Sequence, residues 1–396
     1  MEHRIGLTRG IFLVTITFIG SGVMAIPAMT ASLAGEQAIY AWLILAACSL
    51  PLGLVFARLG QRYPSQGGVS EYLSLALDSP RSKAIGQKLA AYLFLLAVIT
   101  GAAPAVGIAA ANLGRAIDIA PQWYPLLTFI TVALIVALVY LGIRFSSAVQ
   151  MMVVLVFVIL LGLLWAKGAP DSVSLPPLSG ADALLSRPMV AAFGAGMWAF
   201  IGFEALSHLS QDFKNPHRDL PIATIIGMLI ATLFYMATLL LVLNHHVYGN
   251  ELNDTTSLPL LYDKLYGSGG RQIVGSVGYL AGFAVVVVYF TSFTRLAQYL
   301  ALHGQAPVVF GHTNRFNTPY WGLWIISLTT IVSLLIKYGF DIQFVALITF
   351  TNAVFMLIYA LAMMSAIKLL SGVWRLLALV GLLVCLGFIA AMASLL

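Results

Sequence analysis

Long apolar runs separated by short polar connections set the pattern of this chain from end to end. Eleven runs reach spanning length, with cores at 8–34, 37–59, 84–111, 122–142, 145–167, 188–212, 219–244, 271–302, 319–337, 340–369 and 373–395. As helices, each is long enough to cross a hydrocarbon core about 30 Å thick. Their apolar residues are continuous, whereas barrel strands alternate over about ten residues, so strands are excluded. Residues 70–78 are predicted to form a short extra helix at the membrane surface, and Pro170 to Pro188 a loop rather than a domain.

Two runs depart from the pattern. The first contains Phe18-Ile19-Gly20-Ser21-Gly22-Val23 followed by Pro27, and the sixth contains Phe200-Ile201-Gly202-Phe203-Glu204. Glycine pairs and an intramembrane carboxylate are poor choices for an unbroken helix facing lipid. Both anomalies follow the tripeptide Phe-Ile-Gly, and they occupy matching positions if runs one to five and six to ten are structural repeats. An odd number of spans per repeat inverts the second copy, and interrupted helices at matching positions point to a substrate site. The predicted organisation is therefore a ten-helix core over 1–370, with inverted repeats at 8–167 and 188–369, and one further C-terminal helix over 371–396. The plainer alternative for the glycines is close helix packing.

Composition agrees with this. Of 396 residues, 61% are hydrophobic and 9% charged, against about a quarter charged in an average soluble domain. A cytosolic enzyme, a disordered chain and a secreted disulfide scaffold are excluded, leaving an all-α integral membrane protein. The net charge of +6 is a loop bias rather than a nucleic-acid footprint, because no basic block is interleaved with aromatics. Cys48 and Cys385 sit in apolar runs and read as small hydrophobic filler. Arg4 and Arg9 before an apolar stretch mimic a signal peptide, but the stretch is too long and is broken by Gly20, Gly22 and Pro27, so a retained first helix is expected. With the N-terminus inside, 14 of the 20 Lys and Arg fall on the cytoplasmic side and 6 on the other, namely Arg115, Lys167, Arg187, Lys264, Arg271 and Lys337. Eleven spans then place the C-terminus outside.

An interrupted helix leaves carbonyls unpaired where its first half ends and amides unpaired where its second half begins. In the first run, the amides around Ser21, Gly22 and Val23 form an anion site, reinforced by the helix dipole and by the close approach that glycine allows. Pro27 suits the early second half, where a missing N–H costs least. The carbonyls near Phe18 and Ile19, and near Ala199 and Phe200, form a complementary cation site. A negative and a positive site close together match the α-carboxylate and α-ammonium of an amino acid.

These residues also carry a likeness. Gly20-Ser21-Gly22-Val23 with Pro27, Tyr63-Pro64-Ser65-Gln66-Gly67-Gly68, Trp198-Ala199-Phe200-Ile201-Gly202-Phe203-Glu204, Lys214-Asn215-Pro216-His217-Arg218-Asp219-Leu220-Pro221 and Asn317-Thr318-Pro319 span nearly the whole chain. In them the chain resembles the amino acid–polyamine–organocation transporter superfamily, and within it most closely the bacterial inner-membrane exporters of methionine and branched-chain amino acids. The resemblance implies a leucine-transporter-type 5+5 inverted-repeat fold with broken helices 1 and 6, in the inner membrane with a cytoplasmic N-terminus, as a monomer or homodimer. Ser21 and Gly22 would bind the substrate carboxylate. Phe18, Ala199 and Ile201 would offer carbonyls to its ammonium, and Trp198 would lie over it as an aromatic gate. Tyr289 falls where relatives that carry basic substrates have a tryptophan, and Glu204 on a carboxylate implicated in gating and coupling.

Specificity and coupling follow from other residues. Gly101-Ala102-Ala103-Pro104-Ala105-Val106-Gly107-Ile108 offers no side-chain donor or acceptor. Each methylene buried there contributes about 0.8 kcal/mol, whereas an unpaired charge costs several kcal/mol. Leu, Ile, Val and Met fit; Arg, Lys and Glu do not. Tight helix packing is the alternative role of these small residues. A central carboxylate such as Glu204 costs about 2.5–3.5 kcal/mol on insertion scales. His208 follows it by one helical turn, so the pair either relays a proton or holds the half-helix in place. Arg295 is a gating candidate that otherwise snorkels or pairs with a carboxylate. Thr291, Ser292 and Thr294 are a weaker Na⁺ alternative to the proton, and Asn352 is either interhelical glue or pocket lining. No other cofactor is implied: there is no nucleophile–base or metal constellation, Gly267-Ser268-Gly269-Gly270 lacks the lysine of a phosphate loop, and His245-His246 reads as a solvated helix end. The sequence thus reads as a proton-antiporting exporter of neutral apolar amino acids rather than an enzyme. Its rivals are an importer or exchanger of the same substrates and, further off, a channel or membrane scaffold.

Overall fold

The computed structural model describes residues 6–19, 22–63, 68–142, 147–171, 175–177, 180–203, 213–302 and 304–395. Most of those residues are helical, with no β-strand among them. In chain order the α-helices are α1 (Leu7–Ile19), α2 (Ile26–Ala34), α3 (Ala38–Arg62), α4 (Val69–Ala76), α5 (Pro80–Ala116), α6 (Tyr124–Tyr140), α7 (Ser147–Gly168) and α8 (Arg187–Gly196). They continue with α9 (Pro216–His245), α10 (Glu251–Thr255), α11 (Ser257–Tyr266), α12 (Ser268–Leu302), α13 (Tyr320–Gly339), α14 (Phe344–Leu369) and α15 (Val373–Ala393).

Local chemistry sets many of these boundaries. Pro80 opens α5 behind Ser79, whose hydroxyl accepts from the Ser82 N–H at 3.1 Å, and Pro216 opens α9. His246, left-handed at φ 51°, ends α9. The short helix expected over 70–78 is α4. Eight continuous helical runs among the described residues are long and apolar enough to cross a membrane. The count differs from eleven at three places. The run 8–34 stops being α-helical at Ile19, and α2 joins α3 through the turn Gly35–Gln37 without an intervening loop. The described apolar part of the fifth run is Leu155–Gly168. The sixth is α-helical only to Gly196 within the described residues.

The two longest spans, α5 and α12, lie side by side, and α1 lies along α9, α2 along α8 and α14 along α5 and α15. Without a hydrophobic drive between helices in lipid, small residues permit such approach. A Cβ on Gly275 of α12 would stand 2.6 Å from the Asn112 carbonyl of α5, and one on Gly107 of α5 would stand 2.0 Å from the Phe344 ring. Most buried apolar side chains join one core cluster, with a small second cluster at Ala41, Met189 and Ala192.

The connection between α9 and α12, which sequence patterning left without helices, folds as α10 and α11 and packs where α2, α5, α7 and α12 meet. Asn250 caps α10 by accepting from the Asn253 N–H at 2.9 Å. Polar side chains fasten this lid. Lys337, only 4% exposed, pairs with Glu251 at 2.6 Å and lies 4.8 and 4.4 Å from the Tyr338 and Phe344 ring centroids. The other Glu251 oxygen accepts the Phe344 N–H. On the opposite flank, Ser32 of α2 donates to Asp254 at 2.6 Å, and the Gly249 N–H donates to the same carboxylate oxygen at 3.0 Å. Lys167 donates to the Leu265 carbonyl, Lys264 to the His245 carbonyl, and Arg271 pairs with Asp118 at 3.1 Å. Four of the six cations assigned to the minority side are thus gathered and occupied at this one end.

Asp254 yields a pH dependence. Desolvation pushes its carboxyl from the ordinary 3.8 to about 6, against the hydrogen bonds of Ser32 and Gly249 and with a small push from Glu251. Between those values the folded chain keeps a proton that the unfolded chain has released, so this group's contribution to stability rises as pH falls through that window. Unfolding temperatures of the purified protein are expected to gain more between pH 7 and pH 5 than those of Asp254→Asn. An equal or larger gain in the variant contradicts the assignment.

Candidate functional site

The α-helical course of the first run ends at Ile19, where carbonyls lose their helical donors. Tyr235 of α9 reaches across, its hydroxyl 3.0 Å from the Phe18 carbonyl and 2.9 Å from that of Ile19. Its buried ring stacks on Trp42, 4.8 Å between centroids, and Trp42 in turn donates to the Thr30 hydroxyl on α2. The chain resumes with a 3₁₀ turn, Gly22–Met24, and then α2, with Pro27 at its start. Only glycine fits at position 22. A Cβ there would stand 2.7 Å from the Tyr235 hydroxyl and 3.2 Å from Trp198 Cδ1.

The sixth run loses α-helical form in a comparable way. After α8 comes the 3₁₀ turn Met197–Phe200, then Ile201 in extended conformation and Gly202 at φ 126°. The last conformation belongs to glycine. The Gly202 N–H donates to the Tyr359 hydroxyl at 3.1 Å.

Between these two stretches lies a cavity walled mainly by apolar side chains. Phe18, Gly22, Trp198, Ile201 and Tyr235 bound it on one side, and Ala97, Val98, Gly101, Ala102 and Ala105 of α5 on another. Val285, Val286 and Tyr289 of α12 with Thr351 and Phe355 of α14 complete it. The Trp198 indole reaches from Gly22 to Gly101, within 3.4 Å of the place a Gly101 Cβ would occupy. Aromatic rings join opposite walls: Phe18 meets Phe203 at 5.3 Å, Phe203 meets Tyr359 at 5.4 Å, and Tyr359 meets Phe355 at 6.0 Å. Phe56 backs this row, 5.2 Å from Tyr359. The walls are mostly apolar, with polar side-chain groups from Trp198, Tyr235, Tyr289 and Thr351.

Of the residues singled out in the sequence, Phe18, Gly22, Gly101, Ala102, Ala105, Trp198, Ile201 and Tyr289 line this cavity. Val23 and Ala199 are buried without lining it, and Asn352 is fully buried, its amide donating to the Gly194 carbonyl at 2.7 Å. Of the two roles open to Asn352, its side chain serves the interhelical one here. Arg295 lies elsewhere. It lines a smaller crevice with Thr291, Thr294 and the Phe316–Pro319 turn, where the two threonine hydroxyls donate to carbonyls of their own helix. Gly20, Ser21, Pro64–Gly67, Glu204 and His208 lie outside the described residues. Sequence reasoning missed Tyr235, Thr351 and Phe355. A phenol in the middle of an aliphatic run must find an acceptor, and that was the available signal for Tyr235.

The amino acid permease family model matches residues 5–396. The chain is 34% identical to the L-methionine/branched-chain amino acid exporter YjeH of Escherichia coli over 98% of its own length and 92% of that protein's. It is 26% identical to the uncharacterized amino acid permease YecA of Bacillus subtilis, covering 93% of this chain and 86% of the relative. It is also 26% identical to the methylthioribose transporter of Bacillus subtilis, over 78% and 70%.

The packing at Gly22 sets a double-mutant test. Gly22→Ala drives a methyl into the Tyr235 hydroxyl and is expected to weaken binding of L-methionine or L-leucine about tenfold or more. Gly387→Ala, where a Cβ meets nothing, leaves binding unchanged. Tyr235→Phe removes the colliding atom, so the Gly22→Ala loss is smaller in that background. Additive losses in calorimetric titrations rule out the contact as the cause.

Proposed function

We propose that the chain, which belongs to the amino acid permease family, exports neutral apolar amino acids, Met, Leu, Ile and Val, by proton antiport through alternating access. The observation that carries this proposal is an apolar cavity lined by Phe18 and Gly22, where the first run leaves α-helical form, and by Trp198 and Ile201, where the sixth does. The named cargo of the E. coli relative, L-methionine and branched-chain amino acids, suits walls of Ala, Val, Gly and Phe.

In this proposal α1 and α2 are the two halves of a broken first helix, and α8 with the chain past Phe203 forms a broken sixth. Both belong to a leucine-transporter-type core of ten spans, with α15 as an eleventh outside it. The N-terminus lies in the bacterial cytoplasm and the lid of α10 and α11 on the far side. The substrate carboxylate sits on the amides of Ser21 and Gly22, at the positive end of the resumed helix. Its ammonium meets the carbonyls of Ala199, Ile201 and Phe18. Tyr235 holds the Phe18 carbonyl, yet a carbonyl oxygen has a second lone pair for the ammonium. The substrate side chain enters the α5 and α12 walls, where each methylene gains about 0.8 kcal/mol and a charged end would go unpaired. Trp198 closes over it. Glu204 carries the proton, His208 relays it and Arg295 gates.

Proteoliposomes loaded with L-methionine test this. An imposed pH gradient is expected to drive methionine toward the more acidic compartment with saturable kinetics, and leucine to compete. Glu204→Gln keeps saturable exchange and loses the response to the gradient. Methionine moving with the protons makes the protein an importer by symport, and flux indifferent to gradients of either sign sinks proton coupling altogether.

A further inference from the structure

The second non-helical stretch carries one construction that the binding residues do not explain. Two side chains of α14, seven residues apart, hold its two ends. Asn352 donates its amide to the Gly194 carbonyl in the last turn of α8, 2.7 Å away, with the Ala195 carbonyl at 3.5 Å. Tyr359 accepts the Gly202 N–H at 3.1 Å. Both side chains are fully buried. Seven residues are two turns, so the pair shares one face of α14, with contact points about 10.5 Å apart along it.

The choice of residues is costly for mere packing. Among the described residues the Asn352 amide oxygen is buried without a hydrogen-bond partner, a state that costs about 1–3 kcal/mol. A leucine would fill the same space in an apolar helix without that penalty. What asparagine adds is a donor aimed at a carbonyl that the end of α8 leaves over, and what Tyr359 adds to a phenylalanine ring is the acceptor for Gly202. One is a donor where carbonyls are in surplus and the other an acceptor where an amide is. The neighbouring face of the same helix brings Thr351 and Phe355 into the cavity wall.

We propose that α14 is a splint for this stretch: Asn352 and Tyr359 are positioning residues that fix the distance between its ends, and so the direction of the Ala199 and Ile201 carbonyls offered to the substrate ammonium. The inference rests on the assignment of those carbonyls under the proposed function. Because it concerns the ammonium alone, it separates from a loss of fold. Affinities of the purified full-length protein for L-methionine and for its des-amino analogue, 4-(methylthio)butanoate, are the measurement. The wild type prefers methionine strongly. Asn352→Leu and Tyr359→Phe, which keep volume and ring, are each expected to cut that preference about five- to tenfold, the weight of one hydrogen bond. Affinity for the analogue stays within about twofold, and the double variant loses less than the product of the two, since the stretch is already loose. Variants that keep the wild-type ratio, or lose both ligands in parallel, overturn the splint alone. A wild type that binds both compounds equally overturns the ammonium site itself, and the splint with it.

Discussion

Backbone amides and carbonyls cannot be left bare in a medium without water, and that constraint governs this structure. A continuous helix satisfies it internally. This chain departs from α-helical form at Ile19 and again at Gly196, both inside the bundle, and each departure exposes polar backbone that must be met. At the first, the Tyr235 hydroxyl meets two carbonyls at once. At the second, Asn352 meets the Gly194 carbonyl and Tyr359 the Gly202 amide. These bonds are few, but each sits where the alternative is a desolvated orphan, so each weighs more than a surface hydrogen bond of the same length.

The cavity joins the two departures to the long spans. α5 lines it with small and aliphatic side chains, α12 with Val285, Val286 and Tyr289, and Trp198, Tyr235, Tyr289 and Thr351 bring polar groups to its wall. Trp198 bridges the two parts, reaching from Gly22 to Gly101. At the connection formed by α10 and α11 polar groups dominate. There the polar groups are side chains, paired as Lys337 with Glu251 and Ser32 with Asp254, and they bind a short helical connection to α2 on one flank and to the α13–α14 junction on the other.

Much of this was legible in the order of residues. Span length and continuity pointed to an all-helical membrane architecture, and the described residues leave α-helical form at Ile19 and Gly196, in the two runs that carry the Gly20–Gly22 and Gly202 anomalies. Phe18, Gly22, Ala102, Trp198, Ile201 and Tyr289, named partly from local chemistry and partly from the resemblance, line one cavity. Less visible were groups whose meaning depends on a partner far along the chain. Tyr235 acts on a carbonyl 217 residues away and Asn352 on one 158 away, and no periodicity encodes such pairings. The lid helices were also missed, since α10 and α11 are short and their stability comes from contacts with α2, α5, α7 and α12 rather than from local pattern.

The sequence by itself determined which stretches can live in hydrocarbon, where glycine and proline disfavour a regular helix and what kind of side chain the walls present, because hydrophobicity, glycine and proline act over a few residues. Tertiary structure alone decided which exposed backbone group meets which side chain, that Arg295 stands in a crevice apart from the main cavity, and that Asn352 serves α8 rather than the cavity. A hydrogen bond depends on distances of a few tenths of an ångström, and only the packing of distant helices sets them.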